Sequence, residues 1–417
     1  MGIVREVSIQ TRHPTVDELP AVMRVMNAAF LETQDADLQA AFVADYWDLD
    51  RVWTADDDGR LVGTFRTWGT ELTVPGGAQL PASAISAVTV QPTHRRRGVL
   101  TGMMRAAQAA ARDAGEACML LYASEWPIYG RYGFGPAVET TEIVLDTRGV
   151  SFPGVTPPGS IELIERAAAE PIVREVFDAH RREQVGAIRR LDRRWRVDLG
   201  LKDIPWQPPF RGWVALHRDP DGVVDGFARY HPEARWTDRR PDNTLIVDEL
   251  IARSPAAYAG LWRFLAEVDL VTSLRASFRR ADEPLKWLLA DARHVRETER
   301  GEGLWCSLLD VPRALAARRY ERAGSLVIEL VGRSDEGRPT RARVALDASP
   351  DGATARETDA SPDLTIAASA LGAAYLGGTP LRLAVLAAGV DEHREGALAE
   401  ADALFRTLDQ PWCTTFF

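Results

Sequence analysis

The sequence predicts an α/β (α+β) fold in which mixed sheets carry helices on both faces. Three observations lead there. Short alternating or apolar segments of strand type recur between amphipathic helical stretches along the chain, the order that builds layered α/β domains. At 417 residues the chain is too long for a single core, and about two to four domains are expected. A Pro/Gly-rich stretch, GVSFPGVTPPGS from Gly149 to Ser160, separates two runs of such elements and reads as a linker.

The first run opens on VREVSIQTR, which alternates as a strand. Thr15 and Glu18 then form a T-x-x-E capping box ahead of LPAVMRVMNAAFL, whose apolar residues fall at helical spacing. The stretch from Glu32 to Tyr46 is polar and acidic, with Phe42, Tyr46 and Trp47 around its end; it reads as a surface helix in preference to the wall of a pocket. RVWTADDDGRLVGTFRTWGTELTVPG reads as antiparallel strands turning at Asp58–Gly59 and Pro75–Gly76. ISAVTV from Ile85 is a short buried strand, QPTHRRRGVL a turn, and TGMMRAAQAAARDAG an amphipathic helix. Met103, Met104, Ala107 and Ala111 continue from Leu100 at helical spacing, and Gly115 stands where a C-terminal cap falls. CMLLYAS is an apolar strand, SEWPIYGRYGFGPA a Gly- and Tyr-rich turn, and TTEIVLDT the strand that ends a final hairpin of this unit.

A second unit begins at Ile161 and echoes the first. IELI is a short strand, AAAEPIVREVFDAHRREQVGAI a helical stretch, and WVALHRDPDGVVDGFARYHPE a hairpin turning at Asp221–Gly222. NTLIVDELIA is a strand, SPAAYAGLWRFLAEV a helix capped by Ser254, and VTSLRASFR a further strand. The junction IARSPAAYAG has neither an arginine run nor a glycine at its turn. The third unit starts near Leu304 with WCSLLDVPRALAARRY, continues through strands SLVIELVG and RARVALDA and a helical run DEHREGALAEADALFRTL, and ends in DQPWCTTFF. Most termini are polar and frayed, so a tail of Trp412, Phe416 and Phe417 is expected to dock. The corresponding domain limits are 1–150, 151–303 and 304–417.

Composition narrows the functions. Hydrophobic residues make up 46% and charged residues 26%, the balance of a soluble globular protein. A net charge of −10 argues against general nucleic-acid binding and leaves room for a cationic small molecule or peptide. Cys118, Cys306 and Cys413 lie far apart without metal-ligand spacing, so neither a disulfide framework nor a metal site is expected. No window approaches the roughly 18 apolar residues of a membrane span, and the N-terminus lacks the apolar core of a signal peptide. A reduced, cytoplasmic location is expected, with no membrane partner.

The stretch from Ile85 to Gly115 carries the chemistry. Backbone N–H groups at the N-terminus of its helix point at whatever fills the turn, and the helix dipole favours an anion there. Arg95, Arg96 and Arg97 add positive charge, and Gly98 lets the backbone approach a phosphate closely. Two readings stay open on these features alone: a pyrophosphate cradle, or an ordinary strand–turn–helix unit with a solvated basic turn.

That turn resembles the R/Q-x-x-G-x-G/A motif of the GCN5-related N-acetyltransferase superfamily, with Arg95, Gly98 and Leu100 in its places; Leu100 departs from the small residue of the pattern. Over the whole chain, AVTVQPTHRRRGVL, YASEWPIYGRYGFGPA, LWCSLLDVPRALAARRY and a C-terminal Phe are similar, in that order, to the Eis (enhanced intracellular survival) family of acetyltransferases. The resemblance implies tandem acetyltransferase folds, the second degenerate, followed by a sterol-carrier-protein-like domain, assembled as a hexamer of two trimers. It implies transfer of acetyl from acetyl-CoA to a small-molecule amine, aminoglycosides and similar polyamines foremost. The rival readings are a lysine acetyltransferase for one protein partner and a non-catalytic carrier of an apolar ligand.

It also implies roles for residues. Arg95, Arg96, Arg97, Gly98, Leu100 and Thr101 would hold the pyrophosphate, and Val88 and Val90 would flank the pantetheine, with the Val90 N–H polarising the thioester carbonyl. Ser124 matches a position near the cofactor. Tyr129 matches the general acid, although a phenol of pKa about 10 protonates a thiolate of pKa about 8.5 only with help from the site. The α-carboxylate of Phe417 would be the general base, its usual pKa of about 3.3–3.7 raised by burial. Two departures touch the acceptor: Ala87 stands where prominent members carry Phe, and Phe416 where they carry an acidic residue. Asp35, Asp37 and Asp45 are the other carboxylates considered for a cationic acceptor, and they read as surface groups.

Overall fold

Seven strands form the sheet on which the arginine-rich turn sits. The computed structural model describes residues 9–154, 156–333 and 339–417. Of the expected opening strand, β1 (Gln10–Arg12) is described, and Val4–Ser8 lie outside the described residues. Next come α1 (Leu19–Phe30), α2 (Ala36–Ala44), β2 (Val52–Asp57), β3 (Arg60–Thr73) and β4 (Gln79–Val90). α3 (Val99–Asp113), β5 (Cys118–Tyr122), the short α4 (Trp126–Tyr129) and β6 (Gly135–Pro136) complete this part of the chain. The Glu18 carboxylate accepts from the Thr15 N–H at 2.8 Å ahead of α1, as the capping box predicts. α3 buries Val99, Met103, Met104, Ala107 and Ala111, and Gly115 ends it at a φ of +70°. Gly63 lets α3 lie close on β3, because a Cβ there would meet Met103 and Val99 at 2.9 Å.

Both edges of β4 are irregular. Thr64 faces Thr89 and Arg66 faces Ser86, so Phe65 alone opposes both Ala87 and Val88. This bulge puts Ala87 at a φ of +53°, a left-handed backbone that costs a non-glycine residue about 1–3 kcal/mol. The Thr64 hydroxyl offsets it by donating to the Ala87 carbonyl at 2.7 Å while accepting from the Thr89 hydroxyl at 2.6 Å. On its other edge, β4 pairs with β5 in parallel only through Ala82, Ser83 and Ala84. Beyond Ala84 the two strands part.

The sheet borders depart from the linker-based limits. The order across the first sheet is β1, β2, β3, β4, β5, then Leu304–Leu308, then β6. β7 (Glu139–Asp146), expected to end a hairpin in the first unit, instead lies in the second sheet between Val271–Arg280 and Val295–Glu302. The first unit thus gives β7 to the second sheet and takes into its own sheet Leu304–Leu308, the strand expected to open the third unit. The exchange is pinned at the crossing, where Val138 N–H donates to Leu304 and Gly303 N–H donates to Val138. Limits at 150 and 303 divide the chain, but hydrogen bonding runs across both.

The second sheet repeats the pattern of the first. Asn243–Ala252 and Val271–Arg280 pair in parallel only from Asn243 to Val247, and the helix Pro255–Ala266 comes after the Ser254 cap, whose hydroxyl accepts from Ala257 N–H at 3.0 Å. In this gap Trp412 of the tail donates from Nε1 to the Phe278 carbonyl at 2.7 Å. The arginines here are neutralised: Arg253 by Glu183, Arg279 by Glu283 and Arg280 by Asp282.

The third unit is a five-stranded sheet, in the order Gly352–Glu357, Pro339–Ser349, Gly324–Arg333, Leu364–Ala367, Val390–Glu392. The helical run expected near the end is shorter, Ala397–Phe405, because Val390–Glu392 joins the sheet and Gly396 starts the helix at a φ of +82°. Its core is continuous with the first unit: Leu72, Leu80, Cys118 and Cys306 pack with Leu326, Leu371 and Phe405. A Cβ on Gly135 would strike the Ser369 carbonyl, and one on Gly372 the Cys306 carbonyl, so the helix Ala368–Ala374 lies directly on the first sheet. That contact carries the C-terminal tail back to β4 and β5.

Candidate active site

The parting of β4 from β5 opens a cleft of about 570 Å³. One wall is the end of β4. Gln91 N–H donates to the Val62 carbonyl at 2.8 Å, so antiparallel alternation turns the N–H of Val90 to the opposite edge. There β5 is no longer beside it, and the group faces the cleft that Val88, Thr89 and Val90 line.

The floor is the arginine turn. Gly98 caps α3 at a φ of +80° with open space where a Cβ would stand, so glycine is required for its backbone and not for room. The N–H groups of the first turn of α3 lack helical acceptors, no acidic residue occupies that turn, and Arg95, Arg96, Leu100 and Thr101 line the cleft beside it. Among the described residues neither Arg95 nor Arg96 has an ion-pair partner. Arg97 departs from the expectation: its guanidinium turns to Asp57 at 3.3 Å, and it does not line the cleft. His94 reaches the same Asp57 oxygen at 2.9 Å. Asp57 thus holds the turn in place while leaving two arginines free.

The far wall comes from the Gly/Tyr-rich segment. Ser124 and Tyr129 both line the cleft. Tyr129 ends α4, is buried, and packs edge-on against Phe134 at 6.1 Å. Burial, with Glu125 and Tyr132 adding to it, pushes its phenol up to about 12. Tyr132 spans the cleft to Thr101, hydroxyl to hydroxyl at 2.9 Å.

A second cavity of about 190 Å³ opens on the other side of the bulge. Ser86 lines it where Val88 lines the cleft, with Ala87 between. The tail lies here, docked as expected. The Phe417 ring meets Trp68 at 4.8 Å and Tyr122 at 5.1 Å, and Tyr122 O–H donates to the Thr415 carbonyl at 3.2 Å. Tyr122 is the last residue of β5. The chain's final residue is therefore fixed at the end of the strand whose next turn carries Ser124. Arg190 holds the tail from below, donating from Nε to Thr415 Oγ1 at 3.4 Å and pairing with Glu249 at 2.6 Å. Against a desolvation that raises it, Arg190 and Arg229 hold the Glu249 carboxyl down at about 2.

Helix α2 and the turn after it wall this second cavity, through Phe42 and Tyr46 respectively, which corrects the surface-helix expectation. Asp35 instead caps α2, accepting from Asp37 and Leu38 N–H, and none of Asp35, Asp37 and Asp45 lines the cavity. Sequence reasoning missed Arg66, Trp68 and Arg193, which do. The alternation of Arg66 and Trp68 along one strand face was the available signal. Nothing local marks Arg193, since its place depends on the second unit folding against α2. Among the described residues no cluster of side chains suits a metal ion, and no helix is long and apolar enough to cross a membrane.

Comparisons with known proteins give the family of each domain. An acetyltransferase (GNAT) domain family matches residues 10–137, a second acetyltransferase (GNAT) domain family matches 186–306, and a sterol carrier protein domain family matches 311–414. An uncharacterized N-acetyltransferase of Streptomyces griseus is 40% identical over 99% of this chain and 100% of its own length. The N-acetyltransferase Eis of Mycobacterium tuberculosis is 31% identical over 95% of this chain and 92% of its own. The crystal structure of an Eis protein from Mycobacterium abscessus superposes with a TM-score of 0.83 at 30% identity, over 98% of this chain and 100% of that one.

The buried Arg190–Glu249 pair makes a prediction for the tail. Glu249→Gln takes the nearer carboxylate from Arg190, leaving it Asp198 at 3.5 Å, and takes its carboxylate from Arg229 as well; it costs about 3–5 kcal/mol of stability, read as a lowered unfolding midpoint, with faster proteolytic loss of the last residues. Because the folded Glu249 pKa is depressed, its contribution is full above the unfolded value of about 4.3 and fades as pH falls towards about 2. A wild-type midpoint in the variant would contradict the clamp.

With two GCN5-related acetyltransferase domains, a sterol carrier protein domain and near full-length similarity to the mycobacterial proteins, the chain belongs to the Eis family of N-acetyltransferases.

Proposed function

We propose that the chain transfers acetyl from acetyl-CoA, bound in the cleft between β4 and β5, to an amine bound in the cavity beside Phe417. The family uses acetyl-CoA as donor generally; the assignment to particular residues is our reading. The observation that carries it is the free edge of β4, which joins the arginine turn on one side to the C-terminal residue on the other.

In this reading Arg95, Arg96 and the first-turn N–H groups of α3, with Gly98, Leu100 and Thr101 around them, bind the pyrophosphate. Arg97 acts through Asp57 on the shape of the turn. Val88 and Val90 flank the pantetheine, and Val90 N–H donates to the thioester oxygen as negative charge gathers there. The Phe417 carboxylate takes the proton of the attacking amine. As the C–S bond breaks, Tyr129 donates its proton to sulfur. A phenol at about 12 is a weak acid for this, but the dry cleft that raises the phenol also raises the proton affinity of the leaving thiolate. Burial also keeps Tyr129 protonated over the whole working pH range. Ser124, beside Tyr129, orients the thioester end.

In a thiol-release assay Tyr129→Phe should lower kcat about 100-fold or more, with acetyl-CoA affinity by calorimetry unchanged at one molecule per chain. The wild-type rate should show no alkaline fall from this group below about pH 11, since loss of the proton begins only near its raised pKa. Full turnover in the variant, or a second acetyl-CoA bound per chain, would contradict the reading. Assembly as a dimer of trimers belongs to the same proposal: sedimentation should give a mass of six chains, and a one-chain mass would remove it.

A further inference from the structure

The acceptor cavity does not suit a polycation. No Asp or Glu side chain lines it, whereas five arginines do. Two of the five are neutralised, Arg190 by Glu249 at 2.6 Å and Arg194 by Asp198 at 2.7 Å. The other three, Arg66, Arg189 and Arg193, have no carboxylate partner among the described residues.

Arg66 and Arg193 are not idle surface charges. The Arg66 guanidinium sits among aromatic faces, 4.7 Å from the Trp68 centroid, 5.1 Å from Trp47 and 5.9 Å from Tyr46. Desolvation pulls its pKa down to about 10 and outweighs the opposing pull of Tyr46 and of Asp48, a carboxylate that forms no ion pair with it. Arg193 stacks on Tyr46 at 3.6 Å and on Phe42 at 4.1 Å. It donates to the Phe42 carbonyl at 2.9 Å, and its buried Nε has no partner. Aromatic faces stabilise such cations in part; a carboxylate or phosphate that accepts from them completes the compensation.

On the basis of the proposed acetyl transfer, we infer that the acceptor is a small amine carrying its own anionic group, which Arg66 and Arg193 bind while the amine faces the Phe417 carboxylate. The lining arginines form no ion pair with that carboxylate among the described residues, so charges of both signs are left for a ligand. A zwitterionic acceptor is oriented by both, and Trp68, Phe416 and Ile188 wall its apolar body. A volume of about 190 Å³ suits a molecule of amino-acid or amino-sugar size. An aminoglycoside or polyamine would instead bring extra positive charge to uncompensated arginines, a repulsion that a partly buried site screens little.

The test is calorimetry on the full chain saturated with CoA, using matched pairs of acetylated products. N-acetylphenylalanine is set against N-acetylphenethylamine for a carboxylate, and N-acetylglucosamine 6-phosphate against N-acetylglucosamine for a phosphate. In at least one pair the anionic member should bind at least ten-fold more tightly, and whichever pair discriminates identifies the anion. Arg66→Gln and, separately, Arg193→Gln should remove most of that preference, and a preference left intact in both would overturn the inference. Equal binding within both pairs, no binding by any product, or tighter binding by N-acetylated spermidine would overturn the inference, on the wild-type chain alone. Failure of the initial CoA titration would instead bring down the acetyl-transfer reading on which it rests.

Discussion

The structure depends on a pairing that stops short. β4 and β5 share three residues of parallel ladder and then part, and the cleft and the second cavity lie around the exposed edge that results. A backbone edge without a strand partner is a liability in a buried place. Here it is tolerable because the gap opens to a ligand-sized cleft. The bulge at Ala87 serves the same end. It bends β4 at the point where the cleft gives way to the second cavity, and two threonine hydroxyls hold the strained turn in place.

The three units are bound together by what this edge requires. The strand exchange commits the first unit to the second, and the glycines at 135 and 372 let the third lie directly on the first sheet. With all three in place the tail reaches the end of β5. There the buried Arg190–Glu249 pair, itself from the second unit, fixes the last residues. The same tail fills part of the corresponding gap in the second sheet through Trp412. One segment thus lines the cavity beside the first cleft and occupies part of the gap in the second sheet, where the arginines are engaged in internal ion pairs.

Much of this was legible in the sequence where the signal is local. The helix after the arginine turn, its glycine cap and the Ser254 cap come from spacing and cap chemistry. The sterol-carrier region and the family came from motifs. What was not legible is non-local. β7 and Leu304–Leu308 are both ordinary strand segments, and nothing in either says that it will pair in another unit's sheet. The helix α2 and the turn after it have aromatic residues that suit a pocket wall as well as a surface, and the choice is made by Arg193 from the second unit stacking on them. Arg97 is equivalent to Arg95 and Arg96 in sequence, and only the folded turn gives it to Asp57.

The central claim is that the end of the chain and the arginine turn serve one active centre. The most direct measurement is steady-state acetyl transfer by a chain extended by a single glycine after Phe417, with acetyl-CoA affinity measured alongside. The account predicts intact acetyl-CoA binding and a kcat reduced about 100-fold or more, the scale of a lost general base. Unchanged turnover in the extended chain would contradict it.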